Sequence, residues 1–202
     1  LTTIANATFL GTLAPLFTLC LEKFWLKRNI QKNMIFALVI IFTGSLIIVS
    51  DQFDASSNYT KGNLYALICS LWIALAFMIS ENVRKEADTV SFSKVLFSSA
   101  AITLMIISFY TGESLTGYSQ KDYLGLFLLG LIPTVFGHSV FYFALRFVQP
   151  TVVASFPLGE PVIASIIAYF LFSEAVGISV IFGGTLTIIG LLMLIKLKKV
   201  SI

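Results

Sequence analysis

The sequence predicts an all-α membrane protein, a polytopic bundle of seven transmembrane helices. Hydrophobic residues make up 57% of the 202 residues, charged residues make up 11%, and the charges cluster between seven long apolar runs. An ordinary soluble domain carries about 25% charged residues. This composition argues against a water-soluble enzyme, a nucleic-acid-binding protein and a disordered scaffold. We therefore expect the lipid bilayer as a partner, and no nucleic acid.

The seven spans follow from the length that a membrane crossing requires. A hydrocarbon core about 30 Å thick needs roughly 20 apolar residues per helix. In chain order, runs of about this length cover residues 4–21, 33–50, 62–80, 92–110, 123–145, 151–172 and 176–195. None of them alternates polar and apolar residues, as the strands of a membrane β-barrel would. The fifth span is long and contains Pro133, so we expect this helix to bend or tilt.

The connections divide the basic residues unequally between the two membrane faces. Eleven of the 13 Lys and Arg residues lie on one set of alternate ends, in or beside segments 22–32, 81–91, the end of the fifth span and the C-terminal tail. Only Lys61 and Lys121 lie on the other set. Basic residues are enriched on cytoplasmic loops, so the first set and the C-terminus are predicted to be cytoplasmic.

The first two spans are repeated in the last two. At an offset of 146 residues, four identical pairs align: Pro15 with Pro161, Phe24 with Phe170, Phe36 with Phe182 and Gly44 with Gly190. The matched helices are the first and the sixth, so they cross the membrane in opposite directions. Inverted repeats with helices interrupted at matching places are typical of secondary transporters.

Helix breaks are expected at matching positions in the two copies, where freed backbone groups can line a cavity. The candidates are Gly11, Pro15, Pro157, Gly159 and Pro161. The alternative is that Gly and Pro are simply common in membrane helices.

Several motifs connect the chain with a known family. They are Ala5-Asn6-Ala7-Thr8-Phe9-Leu10, Leu13-Ala14-Pro15-Leu16, Gly137-His138-Ser139, Ala144-Leu145-Arg146, Pro150-Thr151-Val152-Val153-Ala154, Leu158-Gly159-Glu160-Pro161 and Phe172-Ser173-Glu174. With these motifs, essentially the whole chain resembles the EamA-type permeases of the drug/metabolite transporter superfamily. The resemblance implies a ten-helix protein built from two inverted five-helix repeats.

The resemblance also implies a domain organisation. Residues 1–50 would hold the last two helices of the first repeat, 51–61 an external linker, 62–196 the complete second repeat and 197–202 a cytoplasmic tail. The chain begins with Leu1 and enters an apolar segment almost at once. We therefore expect an N-terminally truncated fragment that lacks three helices.

Two ionisable residues lie well inside the spans. At about 1.5 Å per residue, Glu160 is roughly 14 Å deep and His138 roughly 12 Å from the same cytoplasmic end. Consecutive antiparallel helices place them at similar depth, where they could pair or share a proton. The alternatives are a hydrogen-bonded structural pair, or a protonated Glu160 that caps backbone groups freed by Pro157 and Pro161.

Other polar residues receive narrower interpretations. Thr134, His138 and Tyr142 are four residues apart on one helix face, which is expected to line the protein interior or a wet cavity. Glu22 and Lys23 are expected to form a solvated helix end. The family pattern implies an acid after each proline-containing helix; Glu174 has that place in the second copy, and Arg28 stands there in the first. A structural role for Glu174 at a helix N-terminus is favoured.

Taken together, these features predict a permease that moves a small metabolite or drug-like compound by alternating access, either proton-linked or passive. The rival interpretations are a non-transporting structural or regulatory membrane subunit and an intramembrane enzyme. An enzyme is disfavoured because there is one histidine and no metalloprotease, serine-hydrolase or phosphate-loop motif. Cys20 and Cys69 lie inside apolar runs, so no disulfide, metal or cofactor is expected.

Location and assembly are predicted more broadly. The chain is expected to be a multi-pass protein of a bacterial plasma membrane. Glycines on the last helix suggest close packing, within the monomer or against a second copy in a homodimer: Gly183, Gly184 and Gly190.

Overall fold

The computed structural model describes residues 1–50, 59–173 and 175–197, apart from the side chains of residues 4 and 5. Within these ranges the regular structure is helical, without a β-strand. The α-helices are, in chain order, α1 (Ile4–Gly11), α2 (Ala14–Phe24), α3 (Lys32–Val49), α4 (Thr60–Arg84), α5 (Thr89–Thr111), α6 (Gln120–Leu129), α7 (Ser139–Ala144), α8 (Pro150–Ser155), α9 (Glu160–Phe172) and α10 (Ile178–Ile195). A π-helical segment, Gly130–His138, joins α6 to α7, and a 3₁₀ turn, Phe156–Gly159, joins α8 to α9.

The described residues contain seven helical stretches that are long and apolar enough to cross a membrane. They are Asn6–Phe24, Lys32–Val49, Thr60–Arg84, Thr89–Thr111, Gln120–Ala144, Pro150–Phe172 and Ile178–Ile195. Each coincides with one predicted span, and their ends differ from the predicted ones by at most four residues. The all-α polytopic fold class is therefore confirmed, and the chain is an integral multi-pass membrane protein.

Polar residues and glycine explain where the helices of the middle region begin and end. The Asp88 carboxylate accepts two 3.0 Å hydrogen bonds from backbone N–H groups in the first turn of α5, donors that no helix carbonyl reaches. Ser119 and Asp122 form a reciprocal capping box at the start of α6. Helix α5 ends before Gly112, whose φ of 71° is a left-handed conformation that glycine adopts without steric penalty.

The described chain divides into two compact units. Residues of segments 1–79 and 148–202 form the first unit, and residues 80–147 form the second. The first unit contains both copies of the predicted repeat. The second contains the end of α4, then α5, α6, the π-helical segment and α7.

Helix boundaries in the first unit repeat at the spacing seen in the sequence. Helices α1 and α8 begin at Ile4 and Pro150, and helices α2 and α9 begin at Ala14 and Glu160, so both pairs are 146 residues apart. Helices α3 and α10 have 18 residues each and match at both ends at the same offset. The internal repeat is thus a property of the fold as well as of the sequence.

Helices α3 and α10 pack against each other through positions that the repeat makes equivalent. A Cβ atom added to Gly44 would lie 2.4 Å from the carbonyl oxygen of Gly183, and one added to Gly190 would lie 2.9 Å from that of Ala37. The offset relates Gly44 to Gly190 and Ala37 to Gly183. The same backbone approach therefore occurs twice, as it does in an interface between symmetry-related partners.

The apolar core of the first unit surrounds this contact. Its buried members come from α3, α8, the 3₁₀ turn and α10: Met34, Ala37, Leu38, Ile41, Val152, Leu158 and Leu194. Gly184 faces Val162 of α9, so all three glycines predicted to mediate close packing contact residues of this chain. The homodimer stays a prediction, and these glycines do not argue for it because their close contacts lie within this chain.

Candidate functional site

The first interrupted span lies between α1 and α2. Helix α1 ends at Gly11, and α2 starts at Ala14 with Pro15 in its first turn. A backbone N–H in the first turn has no carbonyl partner within the helix, so proline is tolerated there. Between them, the Thr12 hydroxyl donates a 2.8 Å hydrogen bond to the Phe9 carbonyl. The predicted break residues of the first copy thus lie at the junction of two helices.

The second interrupted span has its junction at the equivalent place. Pro157 and Pro161 lack the N–H groups that an α-helix would direct to the carbonyls of Val153 and Pro157. The chain tightens into a 3₁₀ turn, and the N–H groups of Phe156 and Glu160 donate to those two carbonyls instead. Because backbone donors serve both carbonyls, the structure does not require a protonated Glu160 to cap them.

Glu160 is the first residue of α9, and its side chain is exposed. A carboxylate in the first turn interacts favourably with the positive end of the helix dipole, which is a structural reason for an acid at this position. Gly159 precedes it and is buried, with Leu191 of α10 close to the position that a Cβ would take. The acid therefore lies at a close-packed helix junction and is itself accessible.

Pro133 widens the fifth span into a π-helical segment instead of only bending it. In an α-helix the Leu129 carbonyl would pair with residue 133, which here has no N–H. In a π-helix each carbonyl accepts a hydrogen bond from the N–H group five residues further on, so the partner of the Leu129 carbonyl becomes the N–H of Thr134. The Thr134 hydroxyl donates to the same carbonyl at 3.1 Å. Such segments occur frequently at functional sites.

His138 is the last residue of the π-helical segment and is exposed. Its Nδ1 lies 2.9 Å from the Pro133 carbonyl oxygen. A carbonyl only accepts hydrogen bonds, so Nδ1 carries the proton and Nε2 of the neutral ring is left as the atom that can take up a proton. The His138 ring also meets the Phe141 ring edge-on, with 6.1 Å between centroids.

Tyr142, the third member of the predicted polar stripe, is buried in the second unit. Its ring packs edge-on against Phe92 at a centroid distance of 5.2 Å, and its carbonyl accepts a 3.1 Å hydrogen bond from Arg84 Nε. Arg84 is 1% exposed and also donates to the Ala87 carbonyl and the Thr89 hydroxyl. Sequence reasoning treated Arg84 only as a basic loop residue, because these acceptors come from the fold.

The predicted site residues are divided between the two compact units. Glu160 belongs to the first unit, whereas Thr134, His138 and Tyr142 belong to the second. A pairing between Glu160 and His138 stays a prediction. Beside the π-helical segment, the second unit contains a cavity of about 420 Å³, and its lining includes Ser93, Lys94, Phe97, Ser98, Val135 and Ser139.

The expectation that Glu22 is a solvated helix end is wrong. Glu22 is 0% exposed, forms an ion pair of 3.2 Å with Arg28 and accepts a 2.9 Å hydrogen bond from the Thr151 hydroxyl. Thr151 is 129 residues further along the chain, so no local pattern revealed the contact. Lys23 beside it is exposed, as expected.

The described residues hold no group of three or more His, Cys, Asp or Glu side chains that could bind a metal ion. Cys20 and Cys69 are both exposed and form no disulfide with each other. Glu174 lies outside the described residues.

Comparison with known proteins supplies the wider context. A family model described as the EamA-like transporter family matches residues 60–196. An S-adenosylmethionine uptake transporter of Rickettsia prowazekii is 28% identical over 98% of this chain and 65% of its own length. An uncharacterized transporter of Archaeoglobus fulgidus is 23% identical over 95% of this chain and 67% of its own length.

A second S-adenosylmethionine uptake transporter, from Rickettsia felis, is 27% identical over 97% of this chain and 64% of its own length. One protein of known crystal structure shares the fold, with a TM-score of 0.78 and 14% identity over 95% of this chain and 66% of that one. The chain thus spans about 65% of the length of the curated relatives that it matches.

Proposed function

The chain belongs to the EamA-like transporter family, and from this premise we propose that it is part of a permease that moves a small organic metabolite by alternating access. The observation that carries the proposal is the pair of interrupted spans whose helices restart at equivalent residues, Ala14 and Glu160. Inverted repeats with such junctions form substrate sites in many secondary transporters. We place the permease in a bacterial plasma membrane, with its C-terminus in the cytoplasm.

The α3–α10 contact supports a mechanism in which one repeat rocks against the other. Three glycines and an alanine let the backbones of these helices approach closely at repeat-equivalent positions. Small residues let membrane helices pack backbone to backbone, so this contact can serve as the axis about which the two repeats rock. In this mechanism the two repeats would move against each other, and the helix junctions would lie near the centre of that movement.

Glu160 and His138 are the proposed polar groups of the transport pathway. Glu160 offers a carboxylate at a helix junction, where a cationic substrate or a proton could bind. His138 offers Nε2 as a proton acceptor, because its Nδ1 is already committed to the Pro133 carbonyl. Thr134 and Tyr142 are the neighbouring stripe residues, and the burial of Tyr142 favours a supporting role for it.

The names of the two Rickettsia relatives make S-adenosylmethionine the first substrate to test. This compound carries a sulfonium cation, which a carboxylate such as that of Glu160 would attract. Neutral amino acids and nucleosides are the other compounds to test, because S-adenosylmethionine contains an amino-acid part and a nucleoside part.

The proposed function is tested with the full-length protein in liposomes, by uptake of radiolabelled compounds with and without a pH gradient. Glu160→Gln is expected to lower the uptake rate about tenfold or more, the loss that removal of a hydrogen bond to a charged group produces. His138→Asn retains a donor near Nδ1 and removes Nε2, so it should abolish gradient-driven accumulation and spare exchange without a gradient. Glu113→Gln, which changes an exposed loop acid, is the matched control.

Two outcomes would contradict these assignments. Unchanged uptake in both variants, with folding intact, would remove Glu160 and His138 from the pathway. A well-folded wild-type protein that moves none of the compounds would favour the structural or regulatory subunit instead.

A further inference from the structure

A buried polar cluster joins α2 to α8 in the first unit. Glu22 Oε2 accepts a 2.9 Å hydrogen bond from Thr151 Oγ1, and Glu22 Oε1 lies 3.2 Å from Arg28 Nη1. Glu22 and Thr151 are 0% exposed, and the Arg28 side chain is 7% exposed. A carboxylate removed from water to this degree needs a charge partner and hydrogen bonds to stay ionised.

The chain after α2 is folded so that Arg28 reaches Glu22. Helix α2 ends at Phe24, and Lys27 adopts a left-handed conformation with φ of 51°. The backbone N–H of Arg28 then donates a 2.9 Å hydrogen bond to the Glu22 carbonyl. Glu22 and Arg28 thus belong to one local structure, which is retained when other helices move.

Thr151 belongs to the other repeat. It is the second residue of α8, the helix that the 146-residue offset relates to α1. Of the two side-chain contacts of the Glu22 carboxylate described above, the ion pair lies inside the first repeat and the Thr151 hydrogen bond crosses to the second. Separation of the repeats at this end would break the Thr151 contact and leave the ion pair intact.

The repeat-equivalent positions, on α1 and α9, carry different side chains. The positions equivalent to Glu22 and Thr151 at the 146-residue offset are Ala168 and Ala5, whose side chains carry no hydrogen-bonding atom. The position equivalent to Arg28 is Glu174, which lies outside the described residues. The Glu22–Thr151 bond is therefore not repeated by the equivalent residues. At that end the first repeat is tied to the second by different groups, with Thr2 Oγ1 and Asn6 Nδ2 donating to Asn63 Oδ1 at 2.6 Å and 3.2 Å.

We propose that Glu22, Arg28 and Thr151 form a latch that ties the two repeats together at the end predicted to be cytoplasmic. Because the bond from Thr151 goes to a buried carboxylate, it stabilises the state in which the repeats are closed at this end. In each cycle Thr151 leaves Glu22 when the cytoplasmic side opens, while Arg28 keeps the carboxylate neutralised. This inference rests on the proposed transport function.

The latch is tested by distances in the full-length protein in liposomes, without substrate. The protein carries Cys20→Ser and Cys69→Ser, so that only introduced cysteines react with the spin label. One label replaces the exposed Lys23 in the last turn of α2, and the other replaces the exposed Lys196 directly after α10. Pulsed electron resonance gives the populations of short and long distances. Thr151→Val is expected to raise the long-to-short ratio roughly tenfold, since a hydrogen bond to a charged group is worth about that factor.

Two further variants make the test specific. Thr151→Ser restores the hydroxyl and should return the ratio to the wild-type value. Thr18→Val removes a buried hydroxyl of α2 whose hydrogen bonds in the described part of the chain go to carbonyls of its own helix, those of Ala14 and Pro15. This variant should leave the ratio unchanged.

An unchanged ratio in Thr151→Val would overturn the latch, even if the variant melts at a lower temperature. An equal shift in Thr18→Val would also overturn it, because the effect would then reflect general loosening of α2. Loss of the proposed transport function is a separate result: it would appear as absent uptake by the wild type, whatever the distances show.

Discussion

Asp88 illustrates how one residue defines a helix start at the predicted cytoplasmic side. Hydrogen bonds from the Ser91 hydroxyl and from the N–H groups of Ser91 and Val90 hold the pKa of this carboxyl below its ordinary value. The folded state therefore favours the charged form of Asp88. The resulting stabilisation is present above the ordinary pKa of the carboxyl and is lost as the pH falls through the lowered value.

Asp88→Ala is accordingly expected to lower the melting temperature at neutral pH, by less and less as the pH drops below 3.8, the ordinary pKa of the carboxyl. Thermal unfolding of the detergent-solubilised protein at several pH values measures this. Asp88→Asn keeps an acceptor that does not titrate, so its melting temperature should stay above that of the alanine variant even at low pH. A pH-independent difference between wild type and Asp88→Ala would contradict the assignment.

At the scale of elements, the α3–α10 contact depends on the absence of side chains at a few positions. A Cβ at Gly44 would lie 2.7 Å from the backbone nitrogen of Thr187, and a Cβ at Gly183 would lie 2.5 Å from the Gly44 carbonyl oxygen. Backbone atoms cannot rotate away as a flexible side chain can, so the helices would have to separate.

Gly44→Ala is therefore expected to destabilise the protein by about 1–3 kcal/mol, the usual penalty for overpacking. Gly190→Ala, at the repeat-equivalent position, should have a similar effect. Gly125→Ala in α6 is the control, because nothing lies within 4 Å of its added Cβ and alanine is the better helix former. Denaturation in detergent measures all three. A Gly44→Ala variant as stable as wild type would contradict the described contact.

At the scale of the whole molecule, the alternation of seven spans predicts which loops share a side. Lys85 and Lys121 are exposed and flank spans at opposite predicted faces. In a protein without Cys20 and Cys69, a membrane-impermeant maleimide added to intact cells should label Lys121→Cys. It should label Lys85→Cys only after permeabilisation. Labelling of Lys85→Cys in intact cells would reverse the predicted orientation.

The sequence by itself determined the membrane class, the seven spans, the repeat offset and the family. Each of these depends on local properties: apolar runs set by bilayer thickness, and matching residues at a fixed spacing. The positions of the helix junctions were readable for the same reason, since Pro15, Pro157 and Pro161 each remove a specific backbone donor.

The tertiary structure decided which polar residues are buried and which partners they have. Glu22 looked like a solvated helix end because its hydroxyl partner, Thr151, lies 129 residues away in the other repeat. Arg84 looked like a loop charge because its acceptors are supplied by turns and by a distant helix. The π-helical segment around Pro133 could not be predicted from the sequence, because a proline can either kink a helix or widen it. Burial and pairing depend on which distant segments contact each other in the folded chain. A single sequence shows the local chemistry of each segment but not these contacts.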